Sequence, residues 1–247
     1  MSKNNLIKDF AKIIADRGIE IINEENVNQV PTDNYSFASQ IYNNRNVLLP
    51  FLVKIATSLK NDGRPIISNV DDPRDKGVIK QFLNRLKDKE LILGYNDKMD
   101  GCFEVNLSNN EQRFRFFRSE WAEQCFRYVI MKVVQTFCSS KDKPLAYKVF
   151  QGAELKKKSE EGVFTELDLV VQIEKRFYVF EIKSGPWVRI MQWAKREDAL
   201  VYKGSPVRNI TCTIHENIPA NIFEPQILIS LERIETRLLE ILNDDFP

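Results

Sequence analysis

The chain has 247 residues, with 36 Lys and Arg against 35 Asp and Glu, so its net charge of +1 gives no global pull on polyanions; any nucleic-acid surface must come from local segregation of charge. A hydrophobic share of 43% suffices to bury a core as one large domain or two small ones. The single histidine, His215, excludes two-histidine metal sites, and four scattered cysteines (Cys102, Cys125, Cys138, Cys212) without a CxxC pair exclude a zinc ribbon and suit reduced thiols.

The opening residues lack the apolar core of a signal peptide. The longest apolar runs, such as residues 47–53, are too short to cross a membrane. The expectation is a soluble, cytoplasmic protein with no membrane partner. Residues 1–30 read as helical, since Leu6, Phe10, Ile13 and Ile14 recur at helix spacing. A turn is expected at 29–34, around Pro31 and Asn34, and a second helix over 46–59. Over 77–91, Val78, Phe82 and Leu86 form one row with Ile79 and Leu83 beside it, which predicts one apolar helix face. Two short strands with a turn at 96–101 follow. A helix followed by a hairpin is how a winged-helix module ends. The mixed charge on this helix (Lys80, Arg85, Lys87, Asp88, Lys89) fits equally a small packing domain with no nucleic-acid role.

Ser119 is placed to cap a helix in which Trp121, Cys125 and Val129 fall at four-residue steps, running to about residue 137. Strands are expected at 146–150, 165–173 and 176–182, then a helix from Pro186 to about 203, a strand at 210–215 and a closing amphipathic helix at 227–242. This order predicts an α/β fold, a mixed sheet flanked by helices, in a domain at 118–247. A helical and winged-helix-like domain at 1–117 precedes it.

The chemistry concentrates in Thr165-Glu166-Leu167-Asp168 and Phe180-Glu181-Ile182-Lys183. Residues two apart on a strand share a face, so Glu181 and Lys183 project together, and a tight turn near Glu174 brings Asp168 beside Glu181. Two carboxylates among apolar flanks repel each other and are costly to desolvate, and a divalent cation relieves both problems. Hard oxygen ligands suit Mg²⁺ or Mn²⁺. A lysine at such a centre stabilises negative charge developing on a phosphodiester under attack by water.

At these residues the chain resembles the PD-(D/E)xK nuclease superfamily, whose pattern is an acid on one strand and (D/E)-x-K on the next. The resemblance implies a restriction-endonuclease-like fold, Asp168 and Glu181 on the metal with the carbonyl of Ile182, and Lys183 as the catalytic lysine. It also implies an acid on the first helix of the core, for which Glu123 is the candidate. Leu167 stands where the motif has its proline. The likeness is closer to the nuclease domain of CRISPR-ancillary nucleases activated by cyclic oligoadenylates. Their Trp-x-Glu helix, Asn-Glu-Leu-Asp strand and Glu-Cys-Lys-Thr strand correspond to Trp121-Ala122-Glu123, Thr165-Glu166-Leu167-Asp168 and Glu181-Ile182-Lys183-Ser184. Their sensor domain finds no counterpart in this sequence, so activation by a cyclic nucleotide is not expected.

Several residues stand between two readings. Glu123 is either a metal ligand or the helix partner of Arg127, four residues on. Glu166 shares a face with Asp168 and either ligates, borders the site or binds a basic neighbour. Lys156, Lys157 and Lys158, expected in a loop at the mouth of the site with Lys148, are candidates for phosphate contact. Gln192 on the helix after the lysine strand is either a further nucleic-acid contact or part of a solvated polar face, with Arg189, Lys195 and Arg196 as weaker candidates. Trp121, Trp187 and Trp193 read as packing residues, and His215 as a strand end. The expected activity is metal-dependent hydrolysis of DNA, with RNA second, in defence or mobile-element biology. A homodimer or an activating partner protein is the expected assembly. The alternative is a silent binding subunit that works through the winged-helix-like segment.

Overall fold

The computed structural model describes residues 5–16, 18–26, 32–59, 66–67, 70, 72–98, 102–157, 165–185, 206–215 and 227–247. The elements in order are α1 (Asn5–Ala15), β1 (Ile19–Asn26), α2 (Thr32–Asn43), α3 (Arg45–Ser58), β2 (Ile66–Ile67), α4 (Pro73–Asp88), β3 (Ile92–Asp97), β4 (Phe103–Leu107), α5 (Glu111–Arg115), a π-helical turn (Phe116–Glu120), α6 (Trp121–Ser140), β5 (Tyr147–Lys157), β6 (Thr165–Ile173), β7 (Arg176–Lys183), β8 (Val207–Thr213), β9 (Ile227–Ser230) and α7 (Ile234–Asp245). They fall into two compact units, residues 1–30 with 126–247 and residues 31–125.

The first unit is a six-stranded mixed sheet in the order β1-β5-β6-β7-β8-β9, with helices against it. Its first four strands pair antiparallel and β7, β8 and β9 pair parallel. Phe10 and Ile14 on α1 are buried in one cluster with Phe150, Leu155, Val170, Phe177 and Val179. The rings of Phe10 and Phe177 lie 5.3 Å apart. Strict alternation puts Phe177, Val179 and Glu181 on one face of β7, so α1 packs on the face that carries Glu181.

Three sequence expectations are corrected by the structure. Residues 1–30 are not helical throughout. Gly18, at φ +74°, ends α1, and Ile19 and Ile21 then pair with Lys157 and Leu155 of β5. Short apolar runs fit either period, and here the distant strand decides. Likewise 227–242 is not one helix: Ile227 and Ile229 pair with Ile210 and Cys212 before α7 begins. Ser119 caps nothing, because it lies inside the π-helical turn that leads into α6. The cap is Asn110, whose side chain accepts from the Arg113 amide at 2.7 Å. The helix expected after Pro186 lies outside the described residues.

The second unit holds α2, α3 and α4 and a three-stranded sheet in the order β2-β4-β3. Phe37 stacks on Phe82 at 5.1 Å, and Phe51 meets Phe82 edge-on at 6.0 Å. α4 starts where the Asp72 side chain accepts from the Arg74 amide at 2.7 Å, with Pro73 in its first turn. The expected helix and hairpin are thus present, while α2 went unread.

On the sheet face opposite Glu181, Tyr178 donates to Asp245 of α7 at 2.8 Å. Arg208 clamps the same carboxylate with two hydrogen bonds, at 2.6 and 2.5 Å, and Arg176 adds an ion pair at 2.9 Å. Burial works to raise the Asp245 carboxyl. The hydrogen bonds from Arg208 and Tyr178 and the charges of Arg208 and Arg176 overrule it and hold the group below the ordinary carboxylate value. Asp245→Asn should cost about 2 kcal/mol in urea unfolding at neutral pH, a modest figure because water screens the half-exposed arginines. A depressed carboxyl stabilises above its unfolded value and loses that contribution as pH falls through its folded value. The variant should therefore lose less stability than the parent on acidification; parallel acid limbs would refute the assignment.

Candidate active site

The antiparallel ladder of β6 and β7 pairs Val170 with Val179 and Leu169 with Phe180. One step further along this register sets Asp168 beside Glu181, and residues opposite each other share a face. The backbone holds this arrangement, since the Ile182 amide donates to Asp168 Oδ2 at 2.6 Å. Lys183, on the same face two residues beyond Glu181, forms an ion pair with Glu181 Oε1. Asp168, Glu181 and Lys183, picked out by spacing, are therefore brought together. Phe177 and Val179 lie buried under α1, Glu181 is 4% exposed, and Lys183 is half-buried. The column thus climbs from core to rim, and the carboxylate sits at its apolar end.

One oxygen of this buried group, Glu181 Oε2, has no hydrogen-bond partner among the described residues. A buried acceptor left so is costly unless something else satisfies it. Among the described residues no three His, Cys, Asp or Glu side chains converge on one point as metal ligands. Two carboxylates and the unsatisfied oxygen still fit a small hard cation, because Mg²⁺ is commonly held by one or two carboxylates and keeps several waters.

The parallel neighbour β8 sets Thr211 opposite Glu181 and Thr213 opposite Lys183, and β9 continues the row with Ser230 opposite Thr213. Thr211, Thr213 and Ser230 are all buried. The sequence reading missed this polar row; its signal was the alternation of Thr211 and Thr213 with Ile210 and Cys212. His215 Nε2 lies 2.8 Å from the carbonyl of Gly185. A carbonyl can only accept, so that nitrogen carries the hydrogen, and His215 ties the end of β8 to the chain beyond Lys183. Cys212, fully buried, has its thiol pushed far above the usual value by burial and further by the Asp168 charge, which leaves it a neutral packing group.

Glu123 is in the first turn of α6, within the second unit. Lys156 and Lys157 are not in a loop: β5 is longer than expected, and they pair with Glu20 and Ile19 of β1. Lys148 lies opposite Gln172, four residues along β6 from Asp168 and so about 13 Å away, not at the mouth of the site. Lys158, Gln192, Arg189, Lys195, Arg196, Trp187 and Trp193 lie outside the described residues. Trp121 is buried, in keeping with a packing role.

Comparison with known proteins finds no matching family model and no matching curated protein. The fold is similar to that of solved structures. Protein VC1899 from Vibrio cholerae matches with a TM-score of 0.55 at 15% identity over 94% of this chain and 60% of that one. Can2 from Sulfobacillus thermosulfidooxidans, solved in complex with cyclic tetra-adenylate, matches with a TM-score of 0.55 at 11% identity over 93% of this chain and 59% of that one. The chain thus spans about three fifths of each protein.

The Glu181–Lys183 pair generates a stability prediction. Lys183→Met should lower the unfolding free energy by about 2 kcal/mol, because it strands a buried carboxylate beside another. Replacing both residues by Met should recover most of that loss. A double variant as unstable as the single one would show that the pair is not what Lys183 supports.

Proposed function

We propose that this chain is a divalent-metal-dependent nuclease of the PD-(D/E)xK type that hydrolyses phosphodiester bonds of DNA, with RNA as the second substrate. One observation carries the reading: Glu181 is buried beside Asp168 with an unsatisfied oxygen, and Lys183 stands on the same face at the rim. Mg²⁺ or Mn²⁺, when bound, supplies Lewis-acid activation of the phosphodiester and of water. Asp168 and Glu181 would hold it, with the Ile182 carbonyl as the backbone donor. The Ile182 amide keeps Asp168 in place for this task. Lys183 is catalytic in offering its ammonium to the negative charge that develops on the scissile phosphate. Lys156, Lys157, Lys158 and Gln192 are the proposed contacts to nucleic acid.

The fold likeness to Can2 and the motif resemblance to CRISPR-ancillary nucleases support a role in defence. A homodimer, able to cut both strands, or an activating partner is the proposed assembly. Among the described residues no helix is long and apolar enough to cross a membrane, and a cytoplasmic site of action is proposed on the same analogy. In a plasmid-cleavage assay with Mn²⁺ or Mg²⁺, Asp168→Ala, Glu181→Ala and Lys183→Ala should each lose about a hundredfold or more in rate while keeping a cooperative melt. A folded Lys183→Ala protein with full activity would overturn the reading.

The order of elements in the second unit favours a second reading. Three helices, with a hairpin straight after the last and strands ordered β2-β4-β3, support a winged-helix-like binding module. On that reading the chain binds nucleic acid without cutting it. Binding that persists in EDTA, with no cleavage under any metal, would favour it over the first.

A further inference from the structure

Glu166 stands two residues before Asp168 on β6, on the same face. Its ladder partner on β5 is another acid, Glu154, and like charges placed opposite one another destabilise a sheet. Among the described residues neither glutamate has an ion-pair or hydrogen-bond partner. The Glu166 side chain leans toward position 152: a Cβ built there would lie 3.3 Å from Glu166 Oε1. Position 152 is Gly152, at φ +58°, a backbone conformation that side-chain-bearing residues rarely adopt. The pairs Gln151–Leu169 and Ala153–Leu167 fix Gly152 across from Asp168. The Glu166 carboxylate is thus laid over the one position in β5 that faces Asp168, and a glycine makes room for it.

We propose that Glu166 is a third acidic residue of the Asp168–Glu181 centre, acting on a divalent cation through its charge and intervening solvent. It is no direct ligand, since no three acids among the described residues converge on one point. The proposal rests on the metal-centre reading above, whose independent mark is the buried, unpartnered Glu181 Oε2. Charge supports it as well. Asp168, Glu181 and Glu166 with Lys183 carry two net negative charges, which a divalent ion balances; without Glu166 the set carries one. Exposure fits the role, because Glu166 is exposed while Glu181 is buried, so solvent bridges the first and is kept from the second.

The test is calorimetric titration of Mn²⁺ into the full chain, as the parent and as Glu166→Gln, Glu154→Gln and Glu181→Gln, at low and at high salt, with a melt of each. Glu166→Gln should weaken Mn²⁺ about tenfold at low salt without shifting the melt. The gap should shrink at high salt, as befits an exposed charge. Glu181→Gln should remove binding at both salts, and Glu154→Gln should stay within about twofold of the parent. Parent-like affinity in Glu166→Gln, with binding lost in Glu181→Gln, overturns the proposal and leaves the metal centre standing. Equal weakening by Glu154→Gln reduces the effect to general surface charge and also overturns it. A parent that binds no Mn²⁺, or a Glu181→Gln variant that binds it undiminished, removes the metal-centre reading and the proposal together.

Discussion

Everything in the first unit turns on placing two carboxylates side by side on a sheet face whose inner part is packed under α1. Desolvating a carboxylate costs several kcal/mol, and doing so beside a second one costs more. The fold meets this cost in three ways visible in the structure. Lys183 comes back along its own strand to Glu181. The Ile182 amide binds Asp168. The strands that carry both acids are buried on either side, with Phe177 and Val179 packed against α1 and Tyr178, Phe180 and Ile182 buried on the other face. Apolar burial of this extent, at about 25 cal/mol per Å², is what lets a sheet tolerate such a pair.

The hairpin of β6 and β7 was legible because its signal is local. Period-two alternation fixes which residues share a face, and a tight turn fixes the register, so Asp168, Glu181 and Lys183 could be brought together on spacing alone. The helix and hairpin of the second unit were legible for the same reason. What failed was what depends on distant partners. Ile19 and Ile21 fit a helix as well as a strand until β5 arrives beside them. Ile227 and Ile229 were ambiguous until β8 did the same. Asp245, at an acidic helix end, reads as solvated until two arginines and a tyrosine converge on it. Gly152 carried a local clue that went unused, since an isolated glycine within a strand marks a bulge or a close approach.

The comparisons separate two levels of inference. At 11–15% identity the likeness to VC1899 and Can2 is a likeness of fold. A fold hosts many chemistries, and the argument about function has to rest on the side chains that the fold brings together. Here that argument comes from the β6–β7 hairpin and its immediate neighbours on β5 and β8. They sit mid-sheet, where backbone position is held from both sides and a side chain can be aimed with little slack.

The first unit is discontinuous in sequence: α1 and β1 come before residues 31–125, and the other five strands come after. During synthesis β1 leaves the ribosome well before its partner β5 exists, while the second unit is contiguous and can close on local contacts. Until β5 appears, Ile19 and Ile21 have no strand to pair with, and Phe10 and Ile14 have no sheet to pack on. The segment waits as an apolar, unpaired edge, the kind of surface that invites self-association. It is also the segment that roofs the face bearing Glu181. The order of translation therefore makes this segment, the first part of the unit to be made, wait uncovered until β5, β6 and β7 have followed the whole of the second unit.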